Sequence, residues 1–334
     1  MKKILLLVAI ASLGFASCTD EQIDQNSQQN GINFKTMVGR NGNLKIDEIT
    51  TSVFDRFVVS SYNTGSDTMS YTASLVPYIN NLPVFKSGAD WVYTGSYYWP
   101  NTDKLQFFAT DATGATFPTT TVTGYPHFHY TIAGSAATQK DVLVAMSNNK
   151  SAQGTTPVAL TFKHALTQMN FSVKGAEIGP TYVIKKIELI GAKDDGVCQF
   201  NDSLIHCWEQ QIGNATYTYF TGSRNVYNTL ISFGNGSGVD DGTLTGHEAL
   251  MLMPQDGDNI TLKVTYDLIN SGVTLYSDAT ASVLLSAIHF NMSKKIRFNL
   301  TVPTPTGITN NRITFTATVS DWDVETPYDY ITVQ

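Results

Sequence analysis

The chain has 334 residues, of which 42% are hydrophobic and 15% are charged, and its formal net charge is −7. A chain of this length can bury a sizeable core, and two domains are the expected division. The acidic balance repels nucleic acid and anionic lipid headgroups, so we exclude nucleic acid as a partner.

The N-terminus has the layout of an export signal. Two lysines precede an apolar stretch, residues 4–15, that is too short to span a bilayer comfortably, and small residues lead from it to a cysteine. Phe15-Ala16-Ser17-Cys18 resembles a lipobox, which implies that residues 1–17 are a signal peptide and that Cys18 is lipidated. An ordinary signal cleaved elsewhere is the alternative. With a lipid, the precursor is expected at the outer membrane, on the cell surface.

The residues after this cysteine predict a polar tether. Residues 18–30 are rich in Asp, Gln, Asn and Ser and have almost nothing to bury. Without residues 1–17 the chain keeps 19 of its 21 basic residues against 28 acidic ones, a net charge of −9. No later segment has about 18 consecutive apolar residues, so we expect no other membrane span.

Alternation of apolar and polar residues dominates the rest of the sequence. It is clearest over residues 296–302 and 313–319, where one side is apolar and the other polar, as in an antiparallel sheet packed on one face. The shorter runs 105–108 and 142–146 predict strands buried on both faces. Residues 163–168 are the one short helical candidate. The pattern predicts an all-β chain.

Two sandwich domains in tandem are the expected organisation of these strands. Turn signals such as Asn41-Gly42 and Ser271-Gly272 separate the strands. The stretch from Leu160 to Gly175 is expected to end one sheet and begin another. We therefore predict an N-terminal domain over residues 31–168 and a C-terminal domain over residues 169–334.

The histidines are the first candidates for catalysis or metal binding. His127 and His129 lie two residues apart, which places both imidazoles on one face of a strand. No third ligand follows at helical or hairpin spacing, so we predict no metal site. His164 lies in a Phe-Lys-His-Ala-Leu stretch and is expected to be a hydrogen-bonded structural histidine.

The paired acids lack a pattern that would indicate catalysis. Nothing in the sequence places the carboxylates of Asp321-Trp322-Asp323 and Asp194-Asp195-Gly196 on opposite sides of a sugar. Asp256-Gly257-Asp258 lacks the ligand pattern of a calcium loop. The sequence contains no phosphate-binding loop or serine nucleophile elbow. We predict that the protein is not an enzyme and needs no cofactor.

Two cysteines remain after the lipidation candidate, Cys198 and Cys207, with eight residues between them. In an oxidising compartment they can form a disulfide, and two buried free thiols are the alternative. A zinc site would need more ligands than the neighbouring His206 provides.

Aromatic residues are concentrated in one stretch, which contains Trp91, Tyr93, Tyr97, Tyr98 and Trp99. Sugar rings stack on such surfaces, so a glycan-binding surface is one interpretation. Packing within a sheet core is the other.

Several short motifs occur in a characteristic order along the chain. They are Tyr98-Trp99-Pro100, Leu105-Gln106-Phe107-Phe108-Ala109, Asp141-Val142-Leu143-Val144-Ala145, Leu160-Thr161-Phe162-Lys163-His164-Ala165-Leu166, Met251-Leu252-Met253-Pro254-Gln255 and Thr318-Val319-Ser320-Asp321-Trp322. In this order and spacing they resemble the fimbrillin family, the lipoprotein (type V) pilins of Bacteroidetes.

The resemblance implies two β-sandwich domains of transthyretin-like topology and assembly by strand exchange. A protease cuts after an arginine that follows the first strand, and loss of this strand leaves a hydrophobic groove. The C-terminal strand of another subunit then fills the groove. Carried over to this chain, the released strand is Gly31 to Val38, with Ile32, Phe34 and Val38 on its apolar side and Thr36 as a break in that side.

The resemblance also implies a maturation site. Arg40 lies in a small polar stretch that is expected to be exposed, and cleavage there would make Asn41 the new N-terminus. Arg56 is the rival. It lies at the start of a strand-like run, so we expect it to be less accessible.

The candidate donor strand is the C-terminal tail, which contains Tyr330, Ile331 and Val333. Main-chain hydrogen bonds would give affinity and alternate side chains would give register. An ordinary C-terminal strand that pairs within its own domain is the alternative.

The leading functional hypothesis is a structural or adhesive subunit of a cell-surface fimbria whose partners are other fimbrial subunits, with host or bacterial surface ligands as further candidates. The alternative is a surface lipoprotein that binds glycans and never polymerises.

Overall fold

The computed structural model describes residues 30–38, 54–204, 207–233, 249–307, 311–322 and 328–333. The predicted signal peptide and Cys18 lie outside these residues. Within them the regular structure consists of β-strands and two short 3₁₀ turns, at Ala136–Thr138 and Gly257–Asn259. No helix in this part of the chain is long and apolar enough to cross a membrane. The prediction of an all-β fold is confirmed.

The first nine strands of the described chain lie before residue 165. They are β1 (Phe34–Val38), β2 (Arg56–Asn63), β3 (Ser74–Ser87), β4 (Asp90–Val92), β5 (Leu105–Thr110), β6 (Val122–Thr123), β7 (His127–Thr131), β8 (Leu143–Lys150) and β9 (Val158–His164). Eight of them form one sheet in the order β1-β9-β8-β5-β2-β3-β4, with β6 paired to β3.

The remaining described strands follow residue 166. They are β10 (Thr167–Gly175), β11 (Thr181–Ala192), β12 (Asp195–Gln199), β13 (Trp208–Ile212), β14 (Ala215–Val226), β15 (Ile231–Phe233), β16 (Leu250–Leu252), β17 (Gln255–Asp256), β18 (Thr261–Asn270), β19 (Val273–Leu284), β20 (His289–Phe290), β21 (Lys294–Val302), β22 (Asn311–Arg312), β23 (Thr314–Asp321) and β24 (Tyr328–Val333). The helical candidate at 163–168 is wrong, because those residues end β9 and begin β10.

Two sheets after residue 166 pack face to face as a sandwich. One has the order β15-β10-β21-β23-β24, with β16 on β10, and the other has the order β14-β11-β18-β19-β22. Phe171 of the first sheet meets Tyr219 of the second with ring centroids 4.6 Å apart. Strand β21 shows why the sequence forms this layer, since its apolar residues are buried and the intervening ones are half-buried.

The central strands of the eight-stranded sheet are buried on both faces, as their apolar runs predict. Phe107 and Leu143 face a core formed by residues before 165. Phe108 and Val144 face a larger core that continues into the C-terminal sandwich. The sheet is therefore shared between two cores.

A three-stranded sheet, β13-β12-β7, crosses the predicted domain boundary near residue 168. Strand β7 comes from the N-terminal part, and Phe128 within it lies opposite Cys198 of β12. The sheets change between His164 and Thr167, close to the predicted position. The long-range pairing of β7 with β12 has no local sequence signal.

Candidate functional site: the groove under the first strand

Strand β1 lies at one edge of the eight-stranded sheet, next to β9. The two strands run parallel, and Phe34 lies opposite Val158 while Val38 lies opposite Phe162. The apolar side chains point inward: Ile32 is 0% exposed, and Phe34 is 5% exposed, whereas Met37 on the other side is 59% exposed. Strand β1 therefore completes the core, although it lies at the edge of its sheet.

Phe34 is the central contact between β1 and this core. Its ring meets Phe57 and Phe107 at 6.0 Å and Tyr93 at 5.9 Å between centroids, each in an edge-on or tilted arrangement. Thr36, the next inward position, is only half-buried. The apolar residues that share this core with β1 are Phe54, Phe57, Val59, Ile79, Leu82, Val84, Trp99, Leu105, Phe107, Ala109, Leu143, Ala145, Val158, Leu160 and Phe162.

Residues 93–99 hold the beginning of the first strand, and we name this segment the aromatic clasp. The backbone N–H of Ile32 donates to the Tyr97 carbonyl at 2.8 Å, and the Trp99 N–H donates to the Asn30 carbonyl at 3.2 Å. The Tyr93 hydroxyl donates to the carbonyl of Ile32. These bonds bring the chain after β4 beside residues 30–32, which lead into β1.

The side chains in and beside the clasp bear on whether the aromatic stretch packs in the core or forms a sugar-binding surface. Trp99 is buried, Tyr93 and Tyr97 are half-buried, and Trp91 packs against Phe57 at 5.0 Å between ring centroids. Burial raises the pKa of the Tyr93 phenol, and the neighbouring tyrosines raise it further. The phenol therefore stays protonated and able to donate. This supports the core interpretation of the stretch over a sugar-binding surface.

The predicted cleavage site, Arg40 with Asn41, lies outside the described residues. The rival, Arg56, is the first residue of β2, and its backbone lies opposite Phe85 in the sheet. Its side chain is exposed, which differs from the expected low accessibility. The next ladder bond joins the Lys86 N–H to the Asp55 carbonyl at 2.8 Å, so cleavage there would require this end of the β2–β3 pairing to open first.

The candidate donor residues lie in β24, the edge strand of the six-stranded sheet. Strand β24 is antiparallel to β23, with Tyr330 opposite Thr318, Ile331 opposite Ala317 and Val333 opposite Phe315. In this structure the tail therefore pairs within its own sandwich, which is the arrangement expected before any exchange.

The end of β9 meets the end of β23 in a cluster of polar and aromatic side chains. The His164 Nδ1 lies 2.5 Å from Asp141 Oδ2, and both side chains are almost fully buried. The Trp322 ring stacks on the imidazole at 4.2 Å between centroids and 6° between planes. His164 thus has the hydrogen-bonded environment that the sequence suggests. We call His164, Asp141, Asp111 and Trp322 the junction cluster.

Asp111 completes the junction cluster beside Asp141. Its Oδ1 accepts the backbone N–H of Leu143 at 2.6 Å. Burial raises the pKa of Asp111 well above its usual range, and the nearby Asp141 carboxyl raises it further, while the bond from Leu143 and the charge of His164 act in the opposite direction. The sequence contained no signal for this role, because Asp111 is followed by an ordinary turn-like Ala-Thr-Gly stretch.

Cys198 and Cys207 are joined as a disulfide in the structure, with their Cα atoms 4.6 Å apart. Both residues are fully buried. The bond links the next-to-last residue of β12 to the residue before β13, beside β7, so it fastens the small sheet that connects the two parts of the chain.

The paired histidines of β7 share one exposed face, as predicted. His129 Nε2 lies 2.9 Å from Asp195 Oδ1, and Thr131 donates to the same carboxylate at 2.5 Å. Both contacts lower the pKa of Asp195. Within the described ranges, no group of three or more His, Cys, Asp or Glu residues is placed to hold a metal ion.

The paired acids take part in separate surface contacts. Asp321 pairs with Lys294, and Asp256 Oδ1 lies 2.6 Å from His289 Nδ1. The backbone of Asp194 bonds to Ile132 and Ile212. Asp323 lies outside the described residues. These contacts are those of residues at turns and strand ends.

The family model for fimbrillin-like proteins matches residues 46–322. The chain belongs to this family. The sequence matches no curated protein at a significant level.

Solved structures share the fold. A fimbrial protein from Bacteroides vulgatus superposes with a TM-score of 0.59 at 19% identity, over 88% of this chain and 99% of that one. Proteins provisionally described as cell adhesion proteins match from Parabacteroides distasonis (TM-score 0.52, 10% identity, 90% of this chain and 98% of that one) and from Bacteroides eggerthii (0.51, 15%, 89% and 98%). At these identities the likeness establishes the fold alone. Family membership supports a fimbrial subunit at the cell surface and a non-enzymatic role.

Proposed function

We propose that the chain is a structural or adhesive subunit of a cell-surface fimbria that polymerises by strand exchange. It is exported as a lipoprotein through Cys18 and is cleaved after Arg40. The released strand is residues 31–38, and the C-terminal strand of another subunit replaces it. The lipid leaves with residues 18–40, so the anchor delivers the subunit to the surface and is then discarded.

The observation that carries this proposal is the burial of an edge strand in an apolar core. Each buried apolar side chain of β1, such as Ile32 or Phe34, contributes roughly 1.5–3 kcal/mol to stability. Loss of the strand would expose that core and would leave β9 with an unpaired edge. An unpaired strand edge beside an apolar groove readily binds an added strand. The exposed groove is therefore a binding site for any extended segment with the same alternation.

The two ends of β1 are held in different ways, and a cut after the strand leaves the rest of the sheet in place. Before the strand, the chain is held by the backbone bonds of the aromatic clasp. After Val38, the next described residue is Phe54, which packs on Phe162 at 4.7 Å between ring centroids. A cut between these two residues separates β1 from the rest of the sheet and leaves Phe54 in place.

The test uses the purified precursor with an arginine-specific protease. We expect a new N-terminus at Asn41 and a ladder of stable oligomers in denaturing gels run without boiling. Arg40→Ala should abolish both, and Arg56→Ala, the matched control, should leave both unchanged. A persistent monomer after complete cleavage at Arg40 would contradict the proposal.

A glycan-binding surface lipoprotein is the second candidate, and a specific cleft favours it. This open cleft has a volume of about 870 Å³, and amide, carboxylate and indole side chains line it, among them Gln210, Glu209, Asn214 and Trp208. A glycan array probed with the uncleaved protein distinguishes the two functions. Binding by a protein that never forms ladders would favour this second candidate.

A further inference from the structure

The open cleft of about 870 Å³ lies between the edge strand β13, the turn at residues 213–214 and residues 254–259. We call it the amide cleft. Its volume lies within the roughly 300–1,000 Å³ range of sites that hold small organic ligands. Its lining residues and the core under β1 have no member in common, so the amide cleft and the groove under β1 are separate sites.

Two glycines allow the walls of the amide cleft to come together. Gly191 and Gly213 have φ angles of +92° and +104°, a region that favours glycine. A Cβ atom on Gly191 would lie 2.2 Å from the Asn259 carbonyl oxygen. The close approach of residues 254–259 to β11 therefore needs glycine at this position.

The lip of the cleft has a strained residue on a β-bulge. On β13, Gln210 and Gln211 occupy the length that one residue, Gly196, occupies on β12. Gln210 has a φ angle of +50°, which a residue other than glycine seldom adopts. Consecutive side chains of a regular strand point to opposite faces, whereas here both glutamines line the cleft. Bulges and strained residues of this kind concentrate at functional sites.

Two amides of the lining hold the walls to each other. Gln211 Nε2 donates to the Pro254 carbonyl at 2.6 Å. Gln255 Nε2 donates to the Lys193 carbonyl at 3.0 Å, and its Oε1 accepts the Lys193 backbone N–H at 2.9 Å. These bonds fix the shape of the cleft.

Five further polar side chains of the lining are exposed: Glu209, Gln210, Asn214, Asp258 and Asn259. Among the residues that the structure describes, none of these five side chains has a hydrogen-bond or ion-pair partner. Amides donate and accept, and carboxylates accept, so the set complements a ligand whose groups do both. Hydroxyl groups do both, which favours a polyhydroxylated ligand.

Trp208 gives the cleft an oriented apolar ring. Its Nε1 donates to the Ala165 carbonyl at 2.6 Å, and the ring packs against Phe128 and Tyr130 at 6.1 and 6.3 Å between centroids. Because the indole N–H is already used, the ring contributes apolar surface to the lining. A sugar can place its C–H groups on such a surface while its hydroxyls bond to the amides.

The charges of the lining select against acidic ligands. Glu209, Asp256 and Asp258 contribute carboxylates, and Lys193 contributes an ammonium group. Asp256 Oδ1 is paired with His289 Nδ1 at 2.6 Å. A sialic acid, a uronic acid or a sulfated sugar would place its negative charge beside the other two carboxylates, which weakens binding.

We propose that the amide cleft binds a neutral oligosaccharide, with hydroxyls bonded to Gln210 and Asn214 and an apolar face against Trp208. This goes beyond the proposed function, because carbohydrate binding becomes a property of the polymerising subunit rather than an alternative to polymerisation. A fimbria of such subunits has one carbohydrate site per subunit, so many weak sites act together along its length.

Titration calorimetry with the uncleaved full chain tests the ligand class. The probes are neutral oligosaccharides, such as lactose and mannotriose, beside sialylated and sulfated lactose. We expect binding to a neutral probe and at least tenfold weaker binding to its acidic counterpart. Absence of binding to every neutral probe, or a preference for the acidic counterpart, would overturn the proposal. Competition by oligolysine would assign the cleft to basic peptides instead.

Alanine variants test whether the sugar lies in this cleft. Gln210→Ala and Asn214→Ala should each weaken binding about three- to tenfold, as expected for loss of a hydrogen bond. Asn225→Ala, at an exposed position of the edge strand β14 outside the cleft, is the matched control and should bind as the wild type does. Urea unfolding checks that the variants are folded. Wild-type affinity in all three variants would place the sugar elsewhere and overturn the proposal.

Charge reversal tests the selection against acidic sugars. Glu209→Lys combined with Asp258→Lys should raise the affinity for sialylated lactose relative to lactose. An unchanged ratio of the two affinities would overturn the assignment of the neutral class to these carboxylates.

These measurements are separate from the test of strand exchange. If the cut protein forms ladders and the uncleaved protein binds no neutral probe, the proposed function stands and this inference is wrong. If the protein binds a neutral probe through the amide cleft and never forms ladders, this inference stands and the proposed function fails.

Discussion

Strand β1 and Trp322 both complete a core where a sheet ends, but they use different chemistry. The buried inward side chains of β1 are apolar, and its polar contacts are main-chain hydrogen bonds or a bond to a main-chain carbonyl. Trp322 instead stacks on His164, which is bonded to Asp141 within the junction cluster. The first set of contacts needs a strand with the right alternation, whereas the second needs particular side chains in particular places.

This difference in contacts indicates that β1 is a replaceable part of the molecule and that the junction cluster is a permanent one. Apolar burial and main-chain hydrogen bonds are largely independent of sequence, so another strand can reproduce them. A buried polar group is costly as soon as one partner is missing. We therefore expect exchange at β1 and an intact junction cluster throughout assembly.

The largest expected effect is at the junction. Trp322→Ala should lower the free energy of unfolding by about 3–5 kcal/mol, because it removes a fully buried ring and the surface that covers His164. Urea denaturation of the uncleaved protein measures this. Trp322→Phe should cost much less, since it keeps an aromatic ring and removes an indole N–H that has no hydrogen-bond partner among the described residues. Equal losses for the two variants would contradict the stacking role.

The second expected effect distinguishes a replaceable strand from a permanent one. Phe34→Ala should destabilise the uncleaved protein by about 3 kcal/mol, because its ring leaves a cavity among three others. Once the strand has been cut and exchanged, the same substitution should have no effect on the stability of the oligomer. Met37→Ala, on the exposed side of the same strand, is the control and should change neither measurement.

A loss of oligomer stability in Phe34→Ala would contradict the view that β1 is replaceable, since it would mean that β1 remains in the assembled subunit. Thermal melting of the oligomers, after the released fragment is washed away, makes this measurement.

The pH dependence of stability comes next and concerns the junction alone. The raised pKa of Asp111 means that the folded state binds its proton more tightly than the unfolded state does. The contribution of protonated Asp111 to the free energy of unfolding is therefore fully present below the usual pKa near 3.8. It is lost as the pH rises through the raised pKa of the folded state. Asp111→Asn keeps an acceptor for the Leu143 N–H, so the variant should gain stability relative to the wild type as the pH rises from about 4 to 7.

Asp195→Asn is the control with the opposite sign. The pKa of Asp195 is lowered by Thr131 and His129, so its contribution is present at neutral pH and is lost as the pH falls through that lowered value. Urea titrations at several pH values compare the two variants. If the free energies of unfolding of Asp111→Asn and the wild type differ by the same amount at every pH from about 4 to 7, Asp111 is not protonated on folding.

The parts of the structure that the sequence predicted are those with a local pattern. Burial of Ile32 and Phe34 with Thr36 as a weak point followed from alternation within β1, and the double-sided burial of residues 105–108 followed from an unbroken apolar run. A period of two encodes which face is buried whatever the partner strand is. The family resemblance came from short motifs in order, and the matched family model confirms it.

The parts that could not be predicted depend on contacts between distant residues. Asp111 and Asp141 are 30 positions apart and meet only when β5 and β8 pair. Tyr93 was one of several aromatic residues in a stretch, and its bond to the Ile32 carbonyl joins residues 61 apart in sequence. The pairing of β7 with β12 across the predicted domain boundary is likewise a tertiary contact. Sequence spacing carries no signal for such pairs.

The smallest expected effect returns to the replaceable strand and concerns how it is held before release. Tyr93→Phe removes the hydroxyl that donates to the Ile32 carbonyl and keeps the ring against Phe34. A single such bond contributes about 0.5–1.5 kcal/mol, so the cut strand should dissociate up to about tenfold faster. Displacement by excess peptide of residues 328–334, followed by fluorescence of a label on residue 35, gives the rate. Tyr98→Phe, at an exposed position of the same clasp, is the control. If both variants release the strand at the wild-type rate, the Tyr93 hydroxyl does not hold the strand, and β1 is retained by its apolar side chains and ladder bonds alone.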